Sequence, residues 1–162
     1  MDTIIPLTTK EHVKDVQRLF ERSRDYFIGF EFRNPTPNEA DRFFLAVPEG
    51  VHLQNKLTFG IFHQNKLVGV IDWLTGYPDK KSLYIGFLLV SPQYRNKGMA
   101  SSLFAKSWHL IDPQCSKQIH LCVEEENTKA ILFWEQIGFN KKRRFTKEVN
   151  GDLVSFFKMV KR

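Results

Sequence analysis

The run Leu83-Tyr84-Ile85-Gly86-Phe87-Leu88-Leu89-Val90 has no charged side chain, and a helical pattern opens at Gly98 soon after it. An apolar run of this length, bounded by turn residues, predicts a central strand covered on both faces. Ala100, Leu103, Phe104, Trp108 and Ile111 then give residues 98–111 a broad apolar helical face, and residues 119–123 read as another strand. Strand, helix and strand in that order predict a parallel crossover.

Hairpins flank this unit. Residues 57–63 and 67–74 are separated by Gln64-Asn65, and residues 139–149 and 153–160 meet across Asn150-Gly151. Both predict antiparallel neighbours, the second more strongly because Asn-Gly suits a tight primed turn. Residues 3–7 read as a short strand. Thr8 and Glu11 form a capping-box pattern before a helix with Val13, Val16, Phe20 and Phe27 on one face. Thr36-Pro37-Asn38-Glu39 predicts a second helix start, with Pro at the first helical position. That helix carries Ala40, Phe43, Phe44 and Val47 and ends before Pro48. Asn127 reads as the cap of a last helix closed by Gly138.

The element order β-α-α-β-β-β-α-β-α-β-β predicts an α/β fold. One domain spans residues 1–162, with a mixed central sheet of about seven strands and helices on both faces. A chain of 162 residues, 42% hydrophobic, has ample material for one core. No apolar run nears the roughly 18 residues of a membrane span, and no basic segment precedes an apolar one at the N-terminus. Two cysteines, Cys115 and Cys122, are too few for a disulfide framework. A cytoplasmic protein without a membrane partner is expected. The five histidines lack metal-ligand spacing, so no metal is expected. The net charge of +6 is read mainly as solvated surface charge. Lys141 to Arg144 with Phe145 is the one basic and aromatic stretch, too short to predict a nucleic-acid partner.

The chemistry-bearing segment is Val90-Ser91-Pro92-Gln93-Tyr94-Arg95-Asn96-Lys97-Gly98-Met99-Ala100. It leaves a strand and enters a helix, whose first N–H groups lack internal partners and sit at the positive end of the helix dipole. A pyrophosphate can bind such a terminus through backbone donors. Gly98 and Ala100 keep the approach open, and Arg95 and Lys97 add charge at the rim. Asn127, Ala130, Trp134, Gly138 and Phe139 form a second pattern about thirty residues on; alone it is a capped amphipathic helix.

Together the two patterns resemble those of the GNAT superfamily, the Gcn5-related N-acetyltransferases. The first matches its coenzyme A signature, Val-x-Pro-x-x-Arg-x-x-Gly-x-Ala. The second matches its Asn-x-x-Ala-x-x-x-aromatic-x-x-x-Gly-Phe helix. The resemblance implies a sheet splayed at an acyl-coenzyme A site, with acetyl-coenzyme A as co-substrate. It implies that Leu88, Leu89 and Val90 offer backbone bonds to the pantetheine arm, and that an N–H near Leu88 stabilises the oxyanion. Amides of Arg95, Asn96, Lys97, Gly98, Met99, Ala100 and Ser101 would hold the pyrophosphate. Asn127 would contact the arm or a water, Ala130 would leave room for it, and Trp134 would pack on it. Many members carry Tyr where Trp134 stands, and an indole cannot protonate a departing thiolate.

An amine acceptor must lose a proton before it attacks. Tyr84, Asp72, Glu124 and Glu125 are the candidate acceptors of that proton, with Asp72 or Glu124 favoured, acting through water. Asp72 interrupts an apolar run, which fits either a solvated strand face or a buried carboxyl with a raised pKa. Glu124 to Glu126 read as a solvated strand end, the alternative being that one of them faces the acceptor. Tyr26, Phe27, Phe30 and Phe32 fall where the family builds its acceptor site, and core filling is the alternative. The expected function is transfer of an acetyl group to a primary amine, on a small molecule or a peptide, through a ternary complex. The alternative is a non-catalytic acyl-coenzyme A-binding regulatory module. A homodimer is possible for such a domain.

Overall fold

The computed structural model describes residues 2–162. The chain runs β1 (Asp2–Pro6), α1 (Thr9–Arg22), α2 (Arg24–Phe30), α3 (Glu39–Leu45), β2 (Lys56–His63), β3 (Lys66–Thr75) and β4 (Ser82–Val90). It continues with α4 (Met99–Ile111), β5 (Gln118–Glu124), α5 (Thr128–Gln136), β6 (Asn140–Val149) and β7 (Asp152–Lys161). The seven strands form one sheet in the order β1-β2-β3-β4-β5-β7-β6. Only β4 and β5 are parallel, joined across α4 as the crossover requires. Gln64 and Asn65 take positive φ of 51° and 64°, so two polar residues make the left-handed turn that joins β2 to β3.

Two cores lie on opposite faces of the sheet. One packs α4 and α5, through Leu103, Phe104, Ile131 and Trp134, on Ile71, Trp73, Leu83 and Leu121. The other packs α1, α2 and α3, through Val16, Phe20, Phe27 and Phe44, on Leu67, Val70 and Leu89. Thr8 caps α1, its hydroxyl accepting from the Glu11 N–H at 3.2 Å.

Three sequence expectations change. The first helix does not run through to Phe27; it breaks at the fully buried Ser23 (φ −108°, ψ 34°). Phe27 still meets Phe20 edge-on at 5.4 Å, so the apolar periodicity survives a break that periodicity cannot reveal. Next, α3 starts at Glu39 rather than at Pro37. The Glu39 carboxylate accepts from the Thr36 N–H at 3.0 Å and from Arg33, and these bonds set the start of the helix.

Last, β4 is not covered on both faces along its length. Gly86 is exposed, and Phe87 and Leu88 are only half-buried. Phe87 pairs with Asp72 and Ile85 pairs with Trp73, so Gly86 is an extra residue on β4, a β-bulge. A Cβ at Gly86 would lie 3.0 Å from Asp72 Oδ2, a tight contact that would press on the carboxylate held by Lys56 and Thr58. An isolated Gly inside a strand pattern is a bulge signal.

The seating of α4 on β3 is fixed by one buried polar contact. Trp73 Nε1 donates to Ser107 Oγ at 2.9 Å, and that hydroxyl donates to the Leu103 carbonyl at 2.6 Å. Ser107→Ala leaves the buried indole N–H without an acceptor, and the expected loss is about 1–3 kcal/mol of stability. Urea denaturation reads this directly; a loss under about 0.5 kcal/mol, the scale of surface substitutions, would contradict it.

Candidate active site

β4 and β5 pair only from Ser82↔Gln118 to Tyr84↔His120 and then part. The bulge at Gly86 begins two residues after the last pair, and beyond it the β5-facing backbone of β4 lies outside the ladder. Three cavities meet around this gap. A cleft of about 500 Å³ is lined by Leu88, Leu89, Val90, Arg95, Ala100 and α5 residues including Ala130 and Trp134. A small cavity of about 90 Å³ sits in the gap itself, between Gly86, Phe87 and Leu88 on one strand and Cys122 and Glu124 on the other. A pocket of about 130 Å³ continues past Glu124, between Phe30 and Phe32 on one side and Leu153 to Ser155 on the other. Tyr26, Leu88, Asn127, Ala130 and Trp134 line both of the first two. Glu124 lines both of the last two.

The mouth of the large cleft is the start of α4. Asn96 and Gly98 take left-handed φ of 61° and 79°, and no side chain caps the helix. A Cβ on Gly98 would meet nothing within 4 Å, so open space faces this turn. The first-turn N–H groups of Met99, Ala100 and Ser101 are therefore available to an anionic ligand. Met99 contributes only its backbone, because its side chain is buried in the core. Lys97 Nζ donates to the Gln93 carbonyl at 3.0 Å. Arg95 braces the cleft: Nε donates to the Val90 carbonyl at 2.8 Å and Nη1 bonds Asp25 of α2 at 2.5 Å. That ion pair holds the Asp25 carboxyl below its usual range. Asn127 Oδ1 accepts from the Ala130 N–H at 3.2 Å and caps α5.

Tyr26, Glu31 and Glu124 gather beside the small cavity in the gap. Burial pushes the Glu124 carboxyl above its ordinary range; nearby Glu31 adds to this and Lys147 opposes it. Burial also pushes Glu31 up. Tyr26 is raised well above the usual phenol value by burial, then by Glu124 and Glu31. This corner resists negative charge and would be relieved by a cation or a proton. Perturbed groups gathered beside a cleft make this corner a candidate site.

Asp72 and Tyr84 lie away from the cavity walls. Asp72 is 4% exposed, which overturns the solvated-face reading. Burial raises its pKa, while Lys56 at 2.7 Å and Thr58 at 3.1 Å pull it back. Tyr84 stands at the foot of the gap, edge-on to Tyr77 at 5.0 Å. Its hydroxyl is raised by burial, then by the Cys122 thiol, so it keeps its proton and cannot serve as a base at neutral pH. Glu124 is half-buried rather than solvated, whereas Glu125 pairs with Arg144 at 2.8 Å and Glu126 is exposed. Phe27 is core, while Tyr26 and Phe30 line the cleft. Sequence reasoning missed Cys122, which strand alternation from Glu124 could have placed on the same face. It also missed Asp25, whose partner is 70 positions away and leaves no local signal.

The Acetyltransferase (GNAT) family model matches residues 15–139. The chain belongs to the GNAT family, and it is an acyltransferase. It is similar to N-alpha-acetyltransferase 30 of Schizosaccharomyces pombe, 24% identical over 154 residues and 93% of both chains. It is also similar to N-alpha-acetyltransferase MAK3 of Arabidopsis thaliana, 30% identical over 97 residues, covering 58% of this chain and 50% of that one. The GNAT fold recurs in a ribosomal-protein alanine N-acetyltransferase from Escherichia coli, with a TM-score of 0.74 at 15% identity, covering 99% and 93% of the two chains. It recurs again in the PaiA N-acetyltransferase of Thermoplasma acidophilum in complex with coenzyme A, with a TM-score of 0.71 at 14% identity, covering 100% and 99%. Among the described residues, no helix is long and apolar enough to cross a membrane, and no cluster of three His, Cys, Asp or Glu is placed to hold a metal.

The raised Glu124 pKa has a consequence for stability. A carboxyl raised on folding binds more protons in the native state than in the unfolded one, so its contribution falls as pH rises above the unfolded value of about 4.3. Glu124→Gln is therefore expected to raise the melting temperature at pH 7, with the gain shrinking as pH falls toward 4. A gain that does not depend on pH, or a loss at pH 7, would contradict the burial of this charge.

Proposed function

We propose that the protein transfers an acetyl group from acetyl-coenzyme A to the free amino terminus of a peptide, by direct attack in a ternary complex. One observation carries this reading: Glu124 stands across the small cavity from Leu88, with the large cleft opening on one side and the acceptor pocket on the other. The two substrates can then enter from opposite sides and meet in the gap. The N-alpha-acetyltransferase names of the relatives favour a peptide amine as the acceptor.

The residues present fit acetyl-coenzyme A. An uncapped helix start with a left-handed Gly98 suits its pyrophosphate, and the β5-facing backbone of Leu88 to Val90, outside the β4–β5 ladder, suits its amide-rich arm. When bound, it supplies an acetyl group already activated as a thioester. The Leu88 backbone N–H is assigned to the oxyanion that develops during attack. Glu124 accepts the proton of the incoming ammonium, directly or through water; its raised pKa brings it nearer the working pH, where a general base is most effective. Asp72 is committed to Lys56 and is assigned no proton. Trp134 packs along the cleft and has no acidic proton to give. A thiol of pKa about 8.5 leaves without a side-chain acid.

Glu124→Gln is expected to lower kcat/KM by about 10²–10⁴-fold and to remove the acid limb of the pH–rate profile, while coenzyme A still binds. Thiol release in the presence of peptide acceptors measures this. Wild-type turnover with an unchanged pH profile would place the base elsewhere.

A further inference from the structure

The sheet face that carries Glu124 continues beyond it. Residues paired across strands point to the same side. The register sets Phe156 beside Glu124, Phe145 beside Phe156, Lys158 beside Cys122, and Arg143 beside Lys158. Lys147, two residues past Phe145, falls on the same side. The core under α1, α2 and α3 draws its strand residues from β1 to β4; on this stretch of β5, β7 and β6, Arg143 and Lys147 are exposed, Phe145 and Lys158 half-buried, and Phe156 buried.

Here Phe145 stacks on Phe156, with ring centres 5.4 Å apart and planes 15° from parallel. Lys147 Nζ lies 5.0 Å from the centre of the Phe156 ring, and the Arg143 guanidinium carbon 5.5 Å from that of Phe145. Among the described residues, Arg143, Lys147 and Lys158 form no ion pair. Neighbouring Arg144 instead pairs with Glu125. Three cations without a carboxylate partner among the described residues thus surround an aromatic pair, two of them over its rings, on the side from which the acceptor would enter.

We infer that this platform reads the acceptor: the peptide runs from Glu124 toward Phe145, which the buried Phe156 supports from beside it, and carboxylates at its second to fourth residues meet Arg143, Lys147 and Lys158. The inference rests on the reading of Glu124 as the amine end of the site. Two strand spacings of about 4.8 Å separate Glu124 from Phe145, a span of about three extended residues. The polarity of the face suits a molecule that is cationic at one end and anionic beyond it. A nucleic acid fits less well, because its phosphates would meet Glu124 and Glu31 at the head of the platform.

The test compares two peptides with the same free first residue, one with three acidic residues after it and one with three amides, by thiol release with acetyl-coenzyme A. The acidic peptide is expected to have a kcat/KM about fivefold to tenfold higher at low salt, falling toward parity near ~0.5 M salt. The double variant Arg143→Glu, Lys147→Glu is expected to reverse the preference, with coenzyme A binding as the check on its fold. Equal turnover of the two peptides by the wild type would overturn this inference and leave the transferase reading standing. Failure to acetylate either peptide, or any other amine, would overturn both. Equal peptide turnover, together with oligoribonucleotide binding lost in the double variant, would overturn it in favour of a nucleic-acid surface.

Discussion

The site depends on the parting of β4 from β5. Parallel strands that begin side by side at Ser82 and Gln118 would ordinarily stay paired, because each unpaired backbone group forfeits a hydrogen bond. Here pairing ends at Tyr84 and the extra residue Gly86 bends β4 away. The bend is held from behind, where Asp72 lies against Gly86 and is anchored by Lys56 and Thr58. The buried ion pair thus supports the gap without facing it. The freed backbone of β4 becomes the wall of a cleft, and Leu88 and Leu89 still anchor the strand by packing into opposite cores.

Two long-range contacts close the site on either side of that gap. Arg95 links Asp25 of α2 to the Val90 carbonyl, so the turn before α4 is tied to the helices on the other face. Asn150 Nδ2, at the tip of the β6–β7 hairpin, donates to the Glu31 carbonyl at 2.8 Å. The first contact shapes the large cleft; the second spans the neighbourhood of the acceptor pocket. Glu31 thereby sits close enough to Glu124 to add to the burial that disfavours its charge, and a cationic amine arriving there would relieve that cost.

How much of this could be read in the sequence follows from how local each feature is. The α4 terminus was legible because the strand exit, the left-handed Gly98 and the uncapped first turn lie within about ten consecutive residues, and helix-end chemistry is a local property. The hairpins, the crossover and the α5 cap were legible for the same reason. The bulge at Gly86 had a signal, a lone Gly in an apolar strand, yet uniform hydrophobicity reads equally well as full burial. The break at Ser23 left no trace, because both helical segments bury their apolar side in one core. The burial of Asp72 depends on Lys56 and that of Glu124 on α2, contacts that only the folded chain makes.

The central claim is that the parted strand and the bare helix start together form the cofactor cleft. Amide hydrogen exchange with and without acetyl-coenzyme A tests it most directly, since exchange reports protection residue by residue. The account expects new protection at residues 86–90 and 98–102, with the paired half of β4 up to Tyr84 unchanged. Protection confined to another part of the molecule, such as the open groove between His12 and Phe62, would contradict it.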